Sequence, residues 1–329
     1  MRASKSNWEV CFSGNFWGHP VDETPGIELA VNRSFYWGGK CWLVPAVYIC
    51  EQGMVIDLCL RASVEEITAF IDKWDLLNEK EHHFTQEERM NIEQDHPLHI
   101  GINLQVSFDG KPLRQKHGSG LSWLPPACFS DQLKPSEAAQ QVMEHYDLAP
   151  SCGWRISRTA FAWSERPKSL HSVLKLVLEQ EPAELPGPHF TVTAPGEQFT
   201  LTHPLTGQGH TLTVQELLPE TLDTAHFEAE YADFPRHCLG MAYTLSPDLS
   251  TDQLTLHDTV ENDPPKPKED GRSRGGAIGV IMSPRGRKLG GASLRTAVSA
   301  LHYEPVELVE WRTVFYTKTL ENVILEFTL

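Results

Sequence analysis

The sequence predicts an α+β fold in which an N-terminal mixed α/β region is followed by a predominantly antiparallel β-sandwich. Three patterns lead to this prediction: capping boxes ahead of apolar stripes at helical spacing, strict apolar/polar alternation typical of strands, and turn residues at short intervals after residue 152. A chain of 329 residues is long enough for about two domains. We place them at residues 1–150, a mixed α+β domain, and residues 151–329, the β-sandwich.

Three helices are predicted from start signals and apolar faces. Ser63 and Glu66 form a capping box ahead of an apolar stripe, because the hydroxyl can accept the Glu66 amide while the carboxylate reaches back. Thr85 and Glu88 repeat the box ahead of a shorter polar segment. The predicted helices cover residues 63–78, 85–94 and 135–147.

Strands are predicted wherever apolar and polar residues alternate. Leu98 to Phe108 alternate strictly, and Asp109-Gly110 then offers the positive φ angles of a tight hairpin turn. Threonine-rich segments near residues 191, 200 and 211 suggest an antiparallel meander. Further strands are predicted at residues 154–163, 171–179, 238–245, 254–260, 277–282, 294–303, 308–317 and 322–329.

A basic segment interrupts the second domain. Residues 262–274 contain no apolar side chain that could offset the entropy of ordering, so we expect a mobile loop over residues 262–276. Seven bases and two acids between Lys266 and Lys288 give a local charge of +5. Phosphate or RNA binding is one interpretation, but no aromatic residue is interleaved for base stacking. Docking on the acidic body, or on an acidic neighbour in an oligomer, explains the charge equally well, so nucleic acid is not the expected partner.

Composition excludes several protein classes. The net charge of −16 argues against a chain built to coat nucleic acid or an anionic membrane. No apolar run is long enough to span a membrane and no secretory signal is recognisable, so we expect a cytoplasmic location and no membrane partner. The seven cysteines include no Cys-x-x-Cys pair and are expected to be reduced. Common phosphate-loop, dinucleotide, hydrolase-elbow and zinc-protease motifs are absent, and no cofactor is predicted.

The histidines invite a metal interpretation, which we do not favour. The densest group contains four histidines with acidic neighbours: His82, His83, His96 and His99. Zinc needs three or four converging ligands, whereas residues three apart in a strand point to opposite faces unless Pro97 breaks the strand. A second group is more scattered: His189, His203 and His210. We therefore predict no metal site.

Aromatic residues near the N-terminus give the functional hypothesis. The first 48 residues hold nine aromatics, about twice the density of the whole chain, and two groups of them adjoin turn residues. Neighbouring aromatics in a strand cannot all face one core, so at least one of Tyr36 and Trp37 should reach a surface. The candidate ligand-binding residues are Trp17, His19, Tyr36, Trp37 and Lys40. The alternative is that these aromatics are buried against the helix at 63–78 or a second domain.

The favoured function is therefore a binding or assembly protein that recognises an unknown small molecule, peptide or protein through an aromatic-lined surface. Two alternatives stay open: a hydrolase that uses histidine and carboxylate groups without a recognisable motif, and a structural subunit of a homo-oligomer. An enzyme should show a pocket in which a histidine and an acid converge, a binding module an open aromatic surface, and a subunit aromatics buried between chains.

Overall fold

Antiparallel β-structure dominates the protein. The computed structural model describes residues 8–77, 84–128, 135–165, 173–222, 232–250, 252–267, 288–289 and 292–329. Strands account for 51% of the chain and helices for 12%, which confirms the prediction that strand exceeds helix. Contacts divide the chain into unit 1 (residues 1–83, 91–182 and 318–329) and unit 2 (residues 84–90 and 183–317). The predicted boundary at 150/151 lies inside unit 1.

The elements are numbered in chain order. The helices are α1 (Val64–Trp74), α2 (Gln86–Asp95) and α3 (Glu137–His145). The strands are β1 (Ile27–Trp37), β2 (Lys40–Ile49), β3 (Gly53–Ala62), β4 (Ile102–Phe108), β5 (Lys111–Pro112), β6 (Arg114–Trp123), β7 (Gly153–Ala162), β8 (Val173–Gln180), β9 (Ala183–Val192), β10 (Gln198–Thr202), β11 (Gly209–Thr221), β12 (Ala232–Asp233), β13 (His237–Ser246), β14 (Leu254–Asp258), β15 (Lys266–Pro267), β16 (Lys288–Leu289), β17 (Ala292–Ser293), β18 (Arg295–Val298), β19 (Val309–Thr317) and β20 (Val323–Thr328).

Two sheets of unit 1 share a hydrophobic core. The larger sheet has the strand order β1-β2-β3-β7-β6, and the smaller has the order β20-β8-β4-β5. Side chains from both sheets, such as Leu58 and Leu60 on β3 and Leu176 and Leu178 on β8, belong to one buried cluster. We call the face of the larger sheet that carries Leu58 and Leu60 the inner face. The opposite, outer face is covered by α3 and by residues 8–16.

Unit 2 contains a four-stranded sheet, β10-β11-β13-β18, and a three-stranded sheet, β14-β19-β9. Trp311 and Phe315 on β19 are fully buried in a cluster that both sheets share. The predicted threonine-rich meander is wrong at its first segment, because β10 pairs with β11 whereas β9 pairs with β19. The reason is the turn between β9 and β10, where Gly196 has a φ of 92° and the chain passes from one sheet to the other.

The three predicted helices are present. Ser63 Oγ accepts the Glu66 amide at 3.1 Å and Glu66 Oε2 accepts the Ser63 amide at 2.8 Å, so the predicted capping box forms. The box at Thr85 and Glu88 forms in the same way. Helix α1 ends at Trp74, earlier than predicted, because Asp75 adopts the left-handed conformation with a φ of 50°.

The capping box gives a testable prediction for stability. Replacing Ser63 by Ala leaves the Glu66 amide without its acceptor, so we expect the free energy of unfolding to fall by about 1 kcal/mol. Urea denaturation followed by circular dichroism measures this change. Ser34→Ala, at an exposed position on β1, is the matched control and should stay within about 0.5 kcal/mol of the unmodified protein. Equal stability of the two variants would contradict the capping role.

The predicted hairpin at Asp109-Gly110 also forms. Asp109 and Gly110 have φ angles of 49° and 74°, and they join Phe108 directly to Lys111 in the register of β4 and β5. The strand before the turn is shorter than predicted, since residues 98–101 precede β4. Pro97 lies in a turn closed by the His99 amide, which donates to the His96 carbonyl at 3.1 Å.

A charged network is buried on the outer face of the larger sheet. Asp57 is fully buried, and its carboxylate accepts Nε and Nη2 of Arg158 at 2.9 and 2.7 Å. The Tyr146 hydroxyl donates to Asp57 Oδ2 at 2.6 Å. Tyr48, whose hydroxyl lies 2.6 Å from that of Tyr146, therefore donates to Tyr146 and accepts the Trp8 indole N–H at 2.8 Å. Each of these polar groups is paired, which is what a buried charge requires.

Two further sequence predictions can be compared with the structure. All seven cysteines are free, and burial raises the pKa of the Cys59 thiol well above its usual value, which keeps that thiol protonated. Of the segment predicted to be mobile, residues 262–267 are described, and Asp263 accepts the Tyr303 amide at 3.0 Å. Residues 268–276 lie outside the described residues. No described helix has the length and apolar character needed to cross a membrane.

Candidate functional site

A cleft opens between the two sheets of unit 1 because strands β6 and β7 bring small or polar residues to the inner face. Ser157 on β7 lies beside Leu58 of β3 and opposite Gly120 of β6. Thr159 lies opposite Gly118 in the same way. Residues paired across antiparallel strands share a face, so this part of the inner face has no large apolar side chain to fill the space between the sheets.

One side of the cleft is apolar. The cleft has a volume of about 280 Å³. Trp42 on β2, Leu58 and Leu60 on β3, and Leu104 on β4 contribute the apolar lining, together with Leu98 ahead of β4. These side chains are continuous with the core cluster, so the apolar wall is rigid and its shape is set by core packing.

The other side of the cleft is polar and carries charge. Arg155, Ser157 and Thr159 line it from β7, and Glu181 lies at its rim after β8. Arg155 lies over Gly120, since a Cβ atom on that glycine would be 3.2 Å from Arg155 Nη2. Among the described residues, no carboxylate lies within ion-pair distance of the Arg155 guanidinium. Arg155 is therefore an exposed cation at the cleft, and the described residues leave its guanidinium donors to solvent.

Two histidines, His96 and His99, lie near this end of the cleft. His99 lines the cleft, and its Nε2 lies 3.2 Å from Glu93 Oε1. Burial lowers the pKa of His96 below its usual value, and the neighbouring charges of His99, Arg155 and Lys40 lower it further. His96 Nδ1 accepts the Leu98 amide at 3.1 Å, which fits a neutral ring. His96 is thus an uncharged neighbour of the Arg155 and Lys40 cations.

Three of the predicted binding residues lie at the β1–β2 hairpin: Tyr36, Trp37 and Lys40. Tyr36 is 75% exposed, whereas Trp37 is 6% exposed. Trp37 is a core residue rather than part of an exposed surface, because its ring packs 5.8 Å from the Trp42 ring and its indole donates to the Glu321 carbonyl at 2.7 Å. Lys40 Nζ lies 3.8 Å from Glu66 Oε1 and belongs to the electrostatic neighbourhood of the cleft.

The other two predicted binding residues, Trp17 and His19, lie in the N-terminal segment that precedes β1. Trp17 is 64% exposed, and its amide donates to Asn15 Oδ1 at 2.8 Å within a tight turn. The adjacent Phe16 ring contacts Trp17 edge-on and lies 4.4 Å from the Arg158 guanidinium. His19 Nε2 is 3.7 Å from Glu9 Oε2. The ring contacts of the described residues do not join this group to Tyr36 or Trp37, so the predicted residues do not form one site.

The two histidine groups do not form a metal site in the described part of the chain. No cluster of three or more His, Cys, Asp or Glu side chains there has metal-binding geometry. Pro97 does break the strand between His96 and His99, but His99 pairs with Glu93 instead. His210 is buried with its Nδ1 2.9 Å from the Pro247 carbonyl. His82 and His83 lie outside the described residues.

A more open cavity of about 420 Å³ in unit 2 is lined by His257 and Asp258. This pair does not have the geometry of a histidine activated by an acid. Asp258 accepts the amides of Val260 and Ala300 at 3.1 and 2.9 Å, and His257 Nε2 lies 2.8 Å from the Thr255 hydroxyl. Both side chains therefore hold neighbouring backbone and side-chain groups in place, and the hydrolase hypothesis gains no support from them.

The sequence interpretation did not identify Arg155, Ser157 and Thr159 as site residues. Their alternation with Trp154 and Ile156 is the pattern of a strand with one solvated face. The distinguishing signal was in the neighbouring strand, where Gly118, Gly120 and Ser122 occupy the positions paired with these residues. Where two adjacent strands carry small or polar side chains on the same face, a gap is expected between that face and the opposite sheet.

Comparison with known proteins identifies no family. No protein-family model and no curated protein matches the chain. A crystal structure of a conserved domain protein from Bacillus anthracis is 9% identical, with 96% of each chain covered and a TM-score of 0.21. The residues of the cleft are therefore the basis for a functional proposal.

Proposed function

We propose that this chain is a binding protein that holds a small organic molecule in the cleft of unit 1. The observation that carries the proposal is the cleft itself, in which the apolar side chains of Trp42, Leu58 and Leu60 lie beside the polar side chains of Arg155 and Ser157. Ligand sites are typically concave, largely apolar and supplied with a few placed polar groups. A volume of about 280 Å³ suits a small metabolite rather than a polymer.

The position of the cleft in the fold supports the same proposal. The sheets on both sides share one core, so strands β2, β3, β4 and β7 hold most of the lining in place, and the loop residues 98–101 and Glu181 complete it. A preformed site of this kind binds without the cost of ordering its own walls. The finer description of the fold, an α+β region followed by an antiparallel β-sandwich, is likewise a proposal, supported by the two sheets that share a core in each unit.

The aromatic-surface hypothesis is separate from the cleft. Exposure of Trp17 and Tyr36 supports a role for these rings in contacts with a protein or with a second copy of the chain. Trp37 cannot offer its ring to such a partner, because it is buried beside Trp42. A cytoplasmic location stays a prediction.

Filling the cleft tests the proposed function. Ser157→Phe places a ring where the space between the sheets lies, whereas Ser34→Phe introduces the same ring at an exposed position of the same sheet. We expect a ligand-observed NMR screen of a small-fragment library to find compounds that bind the unmodified protein and the Ser34→Phe variant. Binding should fall at least ~10-fold in Ser157→Phe, because the ring occupies the ligand's volume.

Thermal unfolding of both variants is measured alongside, so that loss of binding is compared between folded proteins. Compounds that bind Ser157→Phe as well as the unmodified protein would contradict the proposed function. A screen without a single binding fragment would contradict it equally.

A further inference from the structure

We infer that the cleft of unit 1 takes a small monocarboxylate, whose acid group binds Arg155 and whose apolar body lies against Trp42, Leu58 and Leu60. The inference rests on the proposed function and specifies its ligand class. It starts from the lysine and the arginine nearest the cleft, of which one is paired with a carboxylate and one is not. Lys40 Nζ lies 3.8 Å from Glu66 Oε1. Arg155 has no such carboxylate among the described residues.

The geometry of a guanidinium group favours a carboxylate. Its planar array of N–H donors matches two carboxylate oxygens at once, and such paired, charge-assisted hydrogen bonds are among the strongest in proteins. Gly120 leaves the guanidinium face uncovered, since any larger residue would bring a Cβ atom to 3.2 Å from Nη2. The hydroxyl groups of Ser157 and Thr159, on the same polar side of the cleft, can donate to a carboxylate oxygen or to a substituent of the ligand.

The charge count separates a monocarboxylate from a phosphate ester. A single uncompensated cation neutralises one negative charge, whereas a phosphate dianion would need a second. Glu181 at the rim repels any anion, and it repels a dianion about twice as strongly as a monoanion. The backbone of Glu181 is held at the rim, because the Glu181 amide donates to the Gly101 carbonyl at 2.9 Å.

The apolar wall determines the chemistry of the ligand beyond its carboxylate group. Trp42, Leu58 and Leu60 are all buried and belong to the core, so they offer a hydrocarbon surface and no hydrogen-bond partner of their own. The Trp42 indole N–H is already donated to the Trp37 carbonyl at 3.1 Å. A ligand body that is aromatic or branched aliphatic matches this wall, whereas a sugar would lose hydrogen bonds there.

The test uses defined probes and the intact chain. Benzoate, 3-phenylpropionate and 4-methylpentanoate are the carboxylate probes, benzamide is the neutral control, and phenyl phosphate is the dianionic control. Isothermal titration calorimetry or ligand-observed NMR measures their affinity for the unmodified protein, Arg155→Gln, Arg155→Lys and the matched surface variant Arg33→Gln. Arg33 lies at an exposed position of β1, outside the cleft.

We expect at least one carboxylate to bind more tightly than benzamide and phenyl phosphate. Its affinity should fall at least ~10-fold in Arg155→Gln, less in Arg155→Lys, and remain unchanged in Arg33→Gln. Failure of all three carboxylates to bind, or equal affinity for benzoate and benzamide, would overturn the ligand class. The proposed function would still stand if other fragments bind and Ser157→Phe excludes them, so the two failures are distinguishable.

Discussion

Replacing Asp57 by Asn should lower the free energy of unfolding of unit 1 by about 3–5 kcal/mol, because the change leaves the Arg158 guanidinium buried without a counter-charge. Arg158 is only 5% exposed. Burial opposes its charged form, but the Asp57 carboxylate outweighs burial and raises the pKa of Arg158 above its usual value. Without that carboxylate the arginine still stays charged, because a guanidinium group is not deprotonated in proteins. Calorimetry should show a drop in melting temperature on the order of 10 °C.

Two controls make this prediction specific. Glu165→Gln removes one partner of the exposed Lys111–Glu165 ion pair and should leave the melting temperature nearly unchanged. Asp57→Asn/Arg158→Met removes the buried charge altogether, and it should recover part of the loss. A melting temperature of Asp57→Asn that matches the Glu165→Gln variant would show that the buried pair does not stabilise the fold.

Trp37→Ala should cost about 3–5 kcal/mol, whereas Tyr36→Ala, at the neighbouring position, should cost less than about 1 kcal/mol. Trp37 is buried against Trp42, so its removal leaves a cavity and an unpaired carbonyl at Glu321. Tyr36 points to the exposed side of the same hairpin. Urea denaturation of the two variants measures the difference directly.

Trp17→Ala extends this test to the other aromatic group. Because Trp17 is 64% exposed, we expect its loss to change stability by less than about 1 kcal/mol. Near-equal stability of Trp37→Ala and Tyr36→Ala would contradict the placement of Trp37 in the core. A large loss in Trp17→Ala would instead show that this ring packs against the protein.

Local signals predicted the local structure well. The capping boxes at Ser63 and Thr85 depend on side chains three residues apart, and the Asp109-Gly110 turn depends on two adjacent residues, so each is determined by a short stretch of sequence. The pairing of sheets depends on contacts between distant residues. Strands β9 and β10 are adjacent in sequence and still lie in different sheets, which alternation alone cannot reveal.

The candidate site was harder to predict for the same reason. In a sequence, a polar strand face is normally interpreted as exposed to solvent. The cleft becomes evident only when the residue paired with each position is known, as with Gly120 opposite Ser157. Asp57 offered a clearer signal that the sequence interpretation did not use. A carboxylate within the apolar run from Met54 to Leu60 must be buried and therefore requires a cationic partner. Arg158 on the neighbouring strand supplies it.

Strand β20 completes the smaller sheet of unit 1 but follows the main segment of unit 2 in the chain. During synthesis the ribosome must therefore finish residues 183–317 before β8 can gain its second neighbour. Until then one edge of β8 is unpaired, and Leu174 and Leu176 lack their partners Phe327 and Leu325. The smaller sheet of unit 1 is thus completed only after unit 2 has been made, and until then the open edge of β8 is available for strand addition by other chains.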